Sequence, residues 1–186
     1  MLGQERRRWP ATTSAGVILL VPAMPDGKLD GSVHVVLGVR AKDHLVSPIA
    51  GGMEKGETPL QCLQREWGEE TGLPFDRIDL LSQRPYTAVL PEREKTTIGF
   101  VFFGQLKYVD LPYNPRGNTE ILQLRRFPDR DLRELLENSG RCLFRPNLNY
   151  PILETVLSMM SPWSGIKLHL LENAREGIAK HLSEEI

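Results

Sequence analysis

Glu66, Glu69 and Glu70 stand at i, i+3 and i+4 in the run Arg65-Glu66-Trp67-Gly68-Glu69-Glu70. On a helix that spacing gathers three carboxylates into one arc of roughly 100°. Like charges so placed repel by about a few tenths of a kcal/mol per pair. A cation among them removes that cost. Hard oxygen ligands on one rigid face suit Mg²⁺ or Mn²⁺, which keep several waters and bind substrate phosphates. The competing reading is an acidic face turned to water. Arg65, beside the three acids, lowers their mutual repulsion.

The helix that must carry these residues is well punctuated in the sequence. Thr58 suits its N-cap, Pro59 its first position, and Gln61 the returning side chain of a capping box. Gly72 suits the left-handed stop, followed by the apolar Leu73. Leu60, Leu63 and Trp67 recur at i, i+3 and i+7, which predicts a stripe facing the core. Ser47 to Gly56 reads as a loop leading into the helix, broken by Gly51-Gly52 and Lys55-Gly56. Before it, Ala15–Val21 and Val33–Arg40 read as an antiparallel hairpin across a long turn-prone segment. After the helix, Ile78–Leu90, Thr96–Val109 and Glu120–Phe127 read as strands. Asp129–Asn138, Tyr150–Met160 and Ser164–Leu182 read as helices, the last with Leu170, Leu171, Ala174, Ile178 and Leu182 at helical spacing. Strands around one early helix, with helices at the end, predict an α+β fold, an α/β/α sandwich with a mixed sheet and extra C-terminal helices.

The register around the acids is more specific than the acids themselves. From Gly51 the chain reads Gly51, five residues, Glu57, seven residues, then Arg65-Glu66-Trp67-Gly68-Glu69-Glu70-Thr71-Gly72-Leu73. This resembles the signature of the Nudix hydrolases, G-x5-E-x7-R-E-U-x-E-E-x-G-U, with U bulky and apolar. All seven fixed letters match, over 23 residues. Two positions depart from the usual pattern. Trp67 stands where the family prefers an aliphatic residue, and Ile49-Ala50-Gly51 replaces the common Pro-Gly-Gly lead-in, with proline one place earlier at Pro48.

The resemblance implies roles residue by residue. Glu66, Glu69 and Glu70 match the metal ligands, with the Ala50 carbonyl as a further ligand; Glu69 and Glu70 also belong to the catalytic set. Arg65 matches the residue that orients the carboxylates. Glu57 matches the loop acid, a structural partner or outer ligand of the site. Gly51 and Gly56 are expected to permit unusual backbone angles in the loop, and Gly72 the helix stop. Nudix enzymes often take an extra acid from far downstream as ligand or general base. Glu120 occupies that region, with Glu92 and Glu94 as rivals. Arg40 and Arg93 are the candidates for substrate phosphates, with Lys42 and Lys95 beside them. Pro85, Tyr86 and Pro91 fall near the window that marks family subclasses without matching one. His34, His44, His169 and His181 show no ligand spacing, and Cys62 reads as packing rather than as a nucleophile.

Whole-chain composition sets the frame. The 186 residues carry 23 Lys+Arg against 24 Asp+Glu and are 40% hydrophobic, which excludes wholesale disorder and argues against a polybasic surface binder. Arg6–Arg8 followed by the apolar Ala15–Val21 superficially resembles a signal peptide. The β-branched letters and the turn at Pro25-Asp26-Gly27 fit a strand better. Cys62 and Cys142 cannot make a disulfide framework, so a cytoplasmic location is expected. The expected organisation is a frayed tail at 1–14, a Nudix core at 15–139, and a helical extension at 140–186 packed on the core, a homodimer contact being the alternative use of its last helix. The implied activity is Mg²⁺- or Mn²⁺-dependent hydrolysis of a pyrophosphate bond in a nucleoside diphosphate linked to another moiety. The expected partner is a nucleotide-type small molecule: a dNTP, nucleotide sugar, ADP-ribose or dinucleoside polyphosphate. Neither a membrane nor nucleic acid is expected, an RNA 5′ end excepted. The alternatives are a Nudix-fold binding or regulatory module without hydrolysis, and an isoprenoid diphosphate isomerase, for which no added cysteine and glutamate sites can be placed.

Overall fold

The structure, a computed structural model, describes residues 11–22, 31–81, 83–91, 96–107, 109, 111–116, 120–128 and 172. Its centre is strand β1 (Ala11–Pro22), whose run Val17-Ile18-Leu19-Leu20 is buried on both faces. Continuous apolar letters, in place of strict alternation, are what a strand covered on both sides requires. The strand starts four residues before the expected Ala15. Residues 11–14 are part of the sheet and not of a frayed tail, because Ala11 to Ser14 pair with Thr96 to Gly99.

Strand β2 (Val33–Arg40) runs antiparallel to the second half of β1, as the hairpin reading predicts, with Leu19 opposite Val36. The segment read as loop contains two short strands, β3 (Val46–Ser47) and β4 (Ile49–Gly52). Strand β3 continues the pairing of β2, while β4 pairs with the first half of β1, Gly16 opposite Ala50. The Ala50 methyl fills the space that a side chain on Gly16 would need, at only 2.4 Å from an ideal Cβ there.

Helix α1 (Pro59–Thr71) keeps every expected cap. The Gln61 N–H donates to the Thr58 hydroxyl, the Thr58 N–H donates to Gln61 Oε1 at 2.9 Å, and Gly72 is left-handed at φ 67°. Leu63 and Trp67 are fully buried, with Cys62 and Thr71 beside them; Leu60 shares their side of the helix but stays 37% exposed in the first turn. The Trp67 indole donates to the Pro74 carbonyl at 3.2 Å, so the larger side chain at this position is satisfied as well as packed.

The expected strand Ile78–Leu90 is two strands, β5 (Ile78–Leu80) and β6 (Tyr86–Pro91), preceded by a 3₁₀ turn at Phe75–Arg77. Both pair antiparallel with β7 (Thr96–Leu106), which lies parallel to β1. Strand β8 (Ile121–Pro128) pairs antiparallel with β2 on the outer side. The sheet is therefore mixed, in the order β3-β2-β1-β7-β5, with β4, β6 and β8 added to it. Val17, Leu19, Val36, Ile49, Phe102 and Leu124 join Leu63 and Trp67 in one core between sheet and helix. This is the α+β arrangement expected. The predicted helices at 129–138, 150–160 and 164–182 lie outside the described residues, Glu172 apart. Among the described residues no helix is long and apolar enough to cross a membrane.

Candidate active site

The helix grades its three carboxylates by depth. Glu70 is 6% exposed, Glu66 has a side chain 12% exposed, and Glu69 at 61% faces solvent. Arg65 ties two of them to the preceding loop. Its Nη1 donates to Glu66 Oε1 at 2.7 Å and to Glu69 Oε2 at 3.1 Å. Its Nε and Nη2 form a fork on Glu57, at 2.8 and 3.1 Å, and Nη2 also reaches the Gly52 carbonyl at 2.8 Å. Glu57 in turn accepts the Glu54 N–H at 2.7 Å. Arg65 thus bonds Glu66 and Glu69 on one side and Glu57 on the other. The guanidinium holds the Glu57 carboxyl down at about 2, helped by the Glu54 amide.

Gly51 has a different purpose from the expected one. Its backbone is outside the positive-φ region that Gly56 occupies at 90°. Instead, a Cβ at residue 51 would fall 1.9 Å from the Glu66 carboxyl carbon. Glycine lets the carboxylate lie against the strand backbone; a side chain at this position would push the flexible end of Glu66 aside.

Glu70 meets the same strand at Ala50, whose amide acts on its carboxyl. It lines a cavity of about 280 Å³ together with Arg40, Lys42, Ser47, Ala50, Glu120 and Ile121. Burial, then the charges of Glu66 and Glu120, push its carboxyl up to about 8, against a smaller opposing pull from the Ala50 amide and Arg40. Burial also raises Glu66, opposed by Arg65. Glu120 arrives here through an irregularity in the β2–β8 pairing: Val39 faces Gln123 but Arg40 faces Ile121, so one residue bulges out. The Ala41 N–H donating to the Glu120 carbonyl at 2.7 Å fastens the shifted end.

The structure thus brings Glu70, Glu120, Arg40 and Ala50 of the expected site to one cavity, and joins Glu66, Glu69, Arg65 and Glu57 into the network beside it. Arg93, with Lys95 and the rival acids Glu92 and Glu94, lies outside the described residues. Ser47, which lines the cavity, and Asp43, which pairs with Arg40, were not visible from sequence; neither belongs to a spaced pattern. Cys62 is buried beside the Gly51 carbonyl, and burial pushes its thiol up, which agrees with packing.

The donors suit a hard divalent cation. Glu70 Oε2 is buried and has no hydrogen-bond partner among the described residues, and negative charge from two neighbours presses on it. Among the described residues no three His, Cys, Asp or Glu side chains already converge at ligand spacing. Glu66 and Glu69 are held by Arg65, so a cation among the three carboxylates would share them with the guanidinium.

The sequence profile of the NUDIX domain matches residues 13–145. The chain belongs to the Nudix family, and with every fixed residue of the hydrolase signature in place it stands among the family's pyrophosphohydrolases. None of the curated protein sequences matches it. Several solved structures share its fold. The Nudix domain of Shewanella oneidensis NrtR, complexed with ADP ribose, has a TM-score of 0.56 at 13% identity, covering 86% of this chain and 94% of that one. RenU, a Nudix hydrolase from M. smegmatis, has a TM-score of 0.55 at 19% identity, over 80% and 86% of the two chains. A binary complex of the C. elegans Ap4A hydrolase has a TM-score of 0.54 at 16% identity, over 70% and 89%.

Proposed function

We propose that this Nudix enzyme is a Mg²⁺- or Mn²⁺-dependent hydrolase of the pyrophosphate bond in a nucleoside diphosphate linked to another moiety. The observation that carries this reading is the cavity itself. It sets two acids, Glu70 and Glu120, against two cations, Arg40 and Lys42, at the edge of the carboxylate helix. That is the charge pattern needed to hold a phosphate chain beside a group that can take a proton. The ADP ribose held by one protein of this fold, and the Ap4A hydrolase activity named for another, agree with a substrate of that class.

Glu66, Glu69 and Glu70, with the Ala50 carbonyl, would hold the metal. When bound, it supplies an acidified water, polarisation of the attacked phosphorus and neutral charge at the leaving phosphate. Arg65 sets the direction of Glu66 and Glu69, and Glu57 keeps Arg65 in place. Glu120, which lines the same cavity, accepts the proton of the attacking water. Arg40, joined by Arg93, binds phosphate oxygens and holds the chain in line. The buried thiol of Cys62 accords with a reducing, cytoplasmic setting.

Purified protein with Mg²⁺ and a panel of dNTPs, nucleotide sugars, ADP-ribose, dinucleoside polyphosphates and capped RNA, read by product chromatography, tests the reading. The expected result is metal-dependent cleavage at a pyrophosphate bond, lost in Glu69→Gln and Glu70→Gln. Tight binding without cleavage of any compound on the panel would overturn it in favour of a binding module.

A further inference from the structure

The turn from Arg40 to Leu45 joins β2 to β3 and carries Arg40, Lys42 and Asp43 within four residues. It is closed by the Arg40 N–H donating to the Leu45 carbonyl and the His44 N–H donating to the Arg40 carbonyl, both at 3.0 Å. Asp43 is fixed to the turn, its Oδ1 accepting the Leu45 N–H at 3.1 Å. Its other oxygen lies 3.7 Å from Arg40 Nη1. The same Arg40 lines the cavity that holds Glu70 and Glu120. One guanidinium therefore stands between a carboxylate anchored on its own turn and the space that receives phosphate.

We propose that Asp43 competes with the substrate's phosphate chain for Arg40, and so sets the affinity of the cavity for diphosphates. The inference rests on the hydrolase reading and adds to it a residue that tunes substrate binding. A separation of 3.7 Å is an ion pair without good hydrogen-bond geometry. Arg40 is 21% and Asp43 34% exposed, and pairs of this kind hold weakly. A phosphate group offers the guanidinium fork two charge-assisted hydrogen bonds at once. The arriving diphosphate wins Arg40. Asp43, pinned by the Leu45 amide, remains as a fixed negative charge beside the occupied seat.

The test uses the full chain and methylene diphosphonate, a non-hydrolysable diphosphate, titrated calorimetrically with Mg²⁺ present. Asp43→Asn keeps the acceptor for the Leu45 amide and removes the competing charge. It is expected to tighten binding about two- to fivefold, with KM for a cleaved nucleotide falling by the same factor and the effect confined to KM. Arg40→Gln is expected to weaken binding and to abolish the gain from Asp43→Asn in the double variant. Unchanged or weaker binding in Asp43→Asn overturns the inference. So does an equal gain in the Arg40→Gln background, which marks a general charge effect. Because the binding readout needs no turnover, absence of hydrolysis across the panel sinks the catalytic reading without touching this one.

Discussion

At the scale of single residues, space and charge are fixed most tightly where β4 meets α1. A methyl at residue 51 would overlap the Glu66 carboxyl group, so Gly51→Ala must displace that carboxylate or the strand. Because the clashing atoms are the flexible end of Glu66, the expected outcome is a stability loss below about 1 kcal/mol in denaturant titration, with turnover falling at least about tenfold as the carboxylate is displaced. Glu70 shows the opposite relation between stability and activity. A carboxyl raised from 4.5 to about 8 in the folded chain stabilises it most while protonated, and that contribution is lost as pH rises through about 8. Glu70→Gln is therefore expected to raise the stability of the metal-free protein by about 1–3 kcal/mol at pH 9, less at pH 6, while turnover disappears. Melting curves at the two pH values, with EDTA present, check this. Glu57 runs the other way. Its carboxyl is depressed from 4.5 to about 2, so its contribution is complete above about 4.5 and is lost as pH falls towards 2. The difference in Tm between the parent and Glu57→Gln should be largest near neutral pH and shrink across that acid window. The three helical glutamates were legible in the sequence because helical spacing alone gathers them. Their grading was not, since depth depends on which strand each one faces. Asp43 and Ser47 had no spacing to betray them; only the turn and the sheet bring them near Arg40 and Glu70.

At the scale of elements, α1 was readable down to its caps because capping is local chemistry. Thr58, Gln61 and Gly72 each bond a neighbour within four residues, and Pro59, lacking an N–H, leaves no donor to satisfy at the first helical position. Thr58→Ala is expected to cost about 1 kcal/mol in chemical denaturation. It should lower activity only in proportion to the folded fraction, since the cap lies at the end of the helix away from Glu70. Strands β3 and β4 were hidden for the converse reason. The letters Val46-Ser47-Pro48-Ile49-Ala50-Gly51-Gly52 have little intrinsic strand character. They become strands because β1 and β2 offer unpaired backbone on each side of the place where the hairpin diverges. The same pairing explains why alanine is accepted at residue 50. Gly16, directly across the ladder, leaves room for its methyl. The expected single strand after the helix split at the segment around Gln83 and Arg84, where pairing with β7 is interrupted. A local reading has no access to that interruption.

For the whole molecule, the folded chain gathers partly buried carboxylates beside one another, at a cost that a divalent cation, as proposed above, would offset. Mg²⁺ at saturating concentration is expected to raise Tm in proportion to its binding, by roughly 2–3 kcal/mol of added stability at a hundredfold excess over Kd. EDTA should reverse the rise, and Glu70→Gln should blunt it. The parallel pairing of β1 with β7 has a further consequence, in time rather than in energy. The side chains of Thr12 and Thr97 touch across 85 positions of sequence, and the ladder between the two strands runs from Ala11 to Leu20. The central strand of the sheet is thus among the first described parts of the chain to leave the ribosome, yet it cannot gain its longest partner until β7 follows. Its apolar run must wait in company with β2 and β4 alone. Contacts so distant in sequence slow folding and lengthen the exposure of unpaired strand edges. The carboxylate helix, whose caps and backbone hydrogen bonds are local, is made in the interval, so the carboxylate surface is synthesised before the strands that complete its core, which supply Phe102 and Leu124.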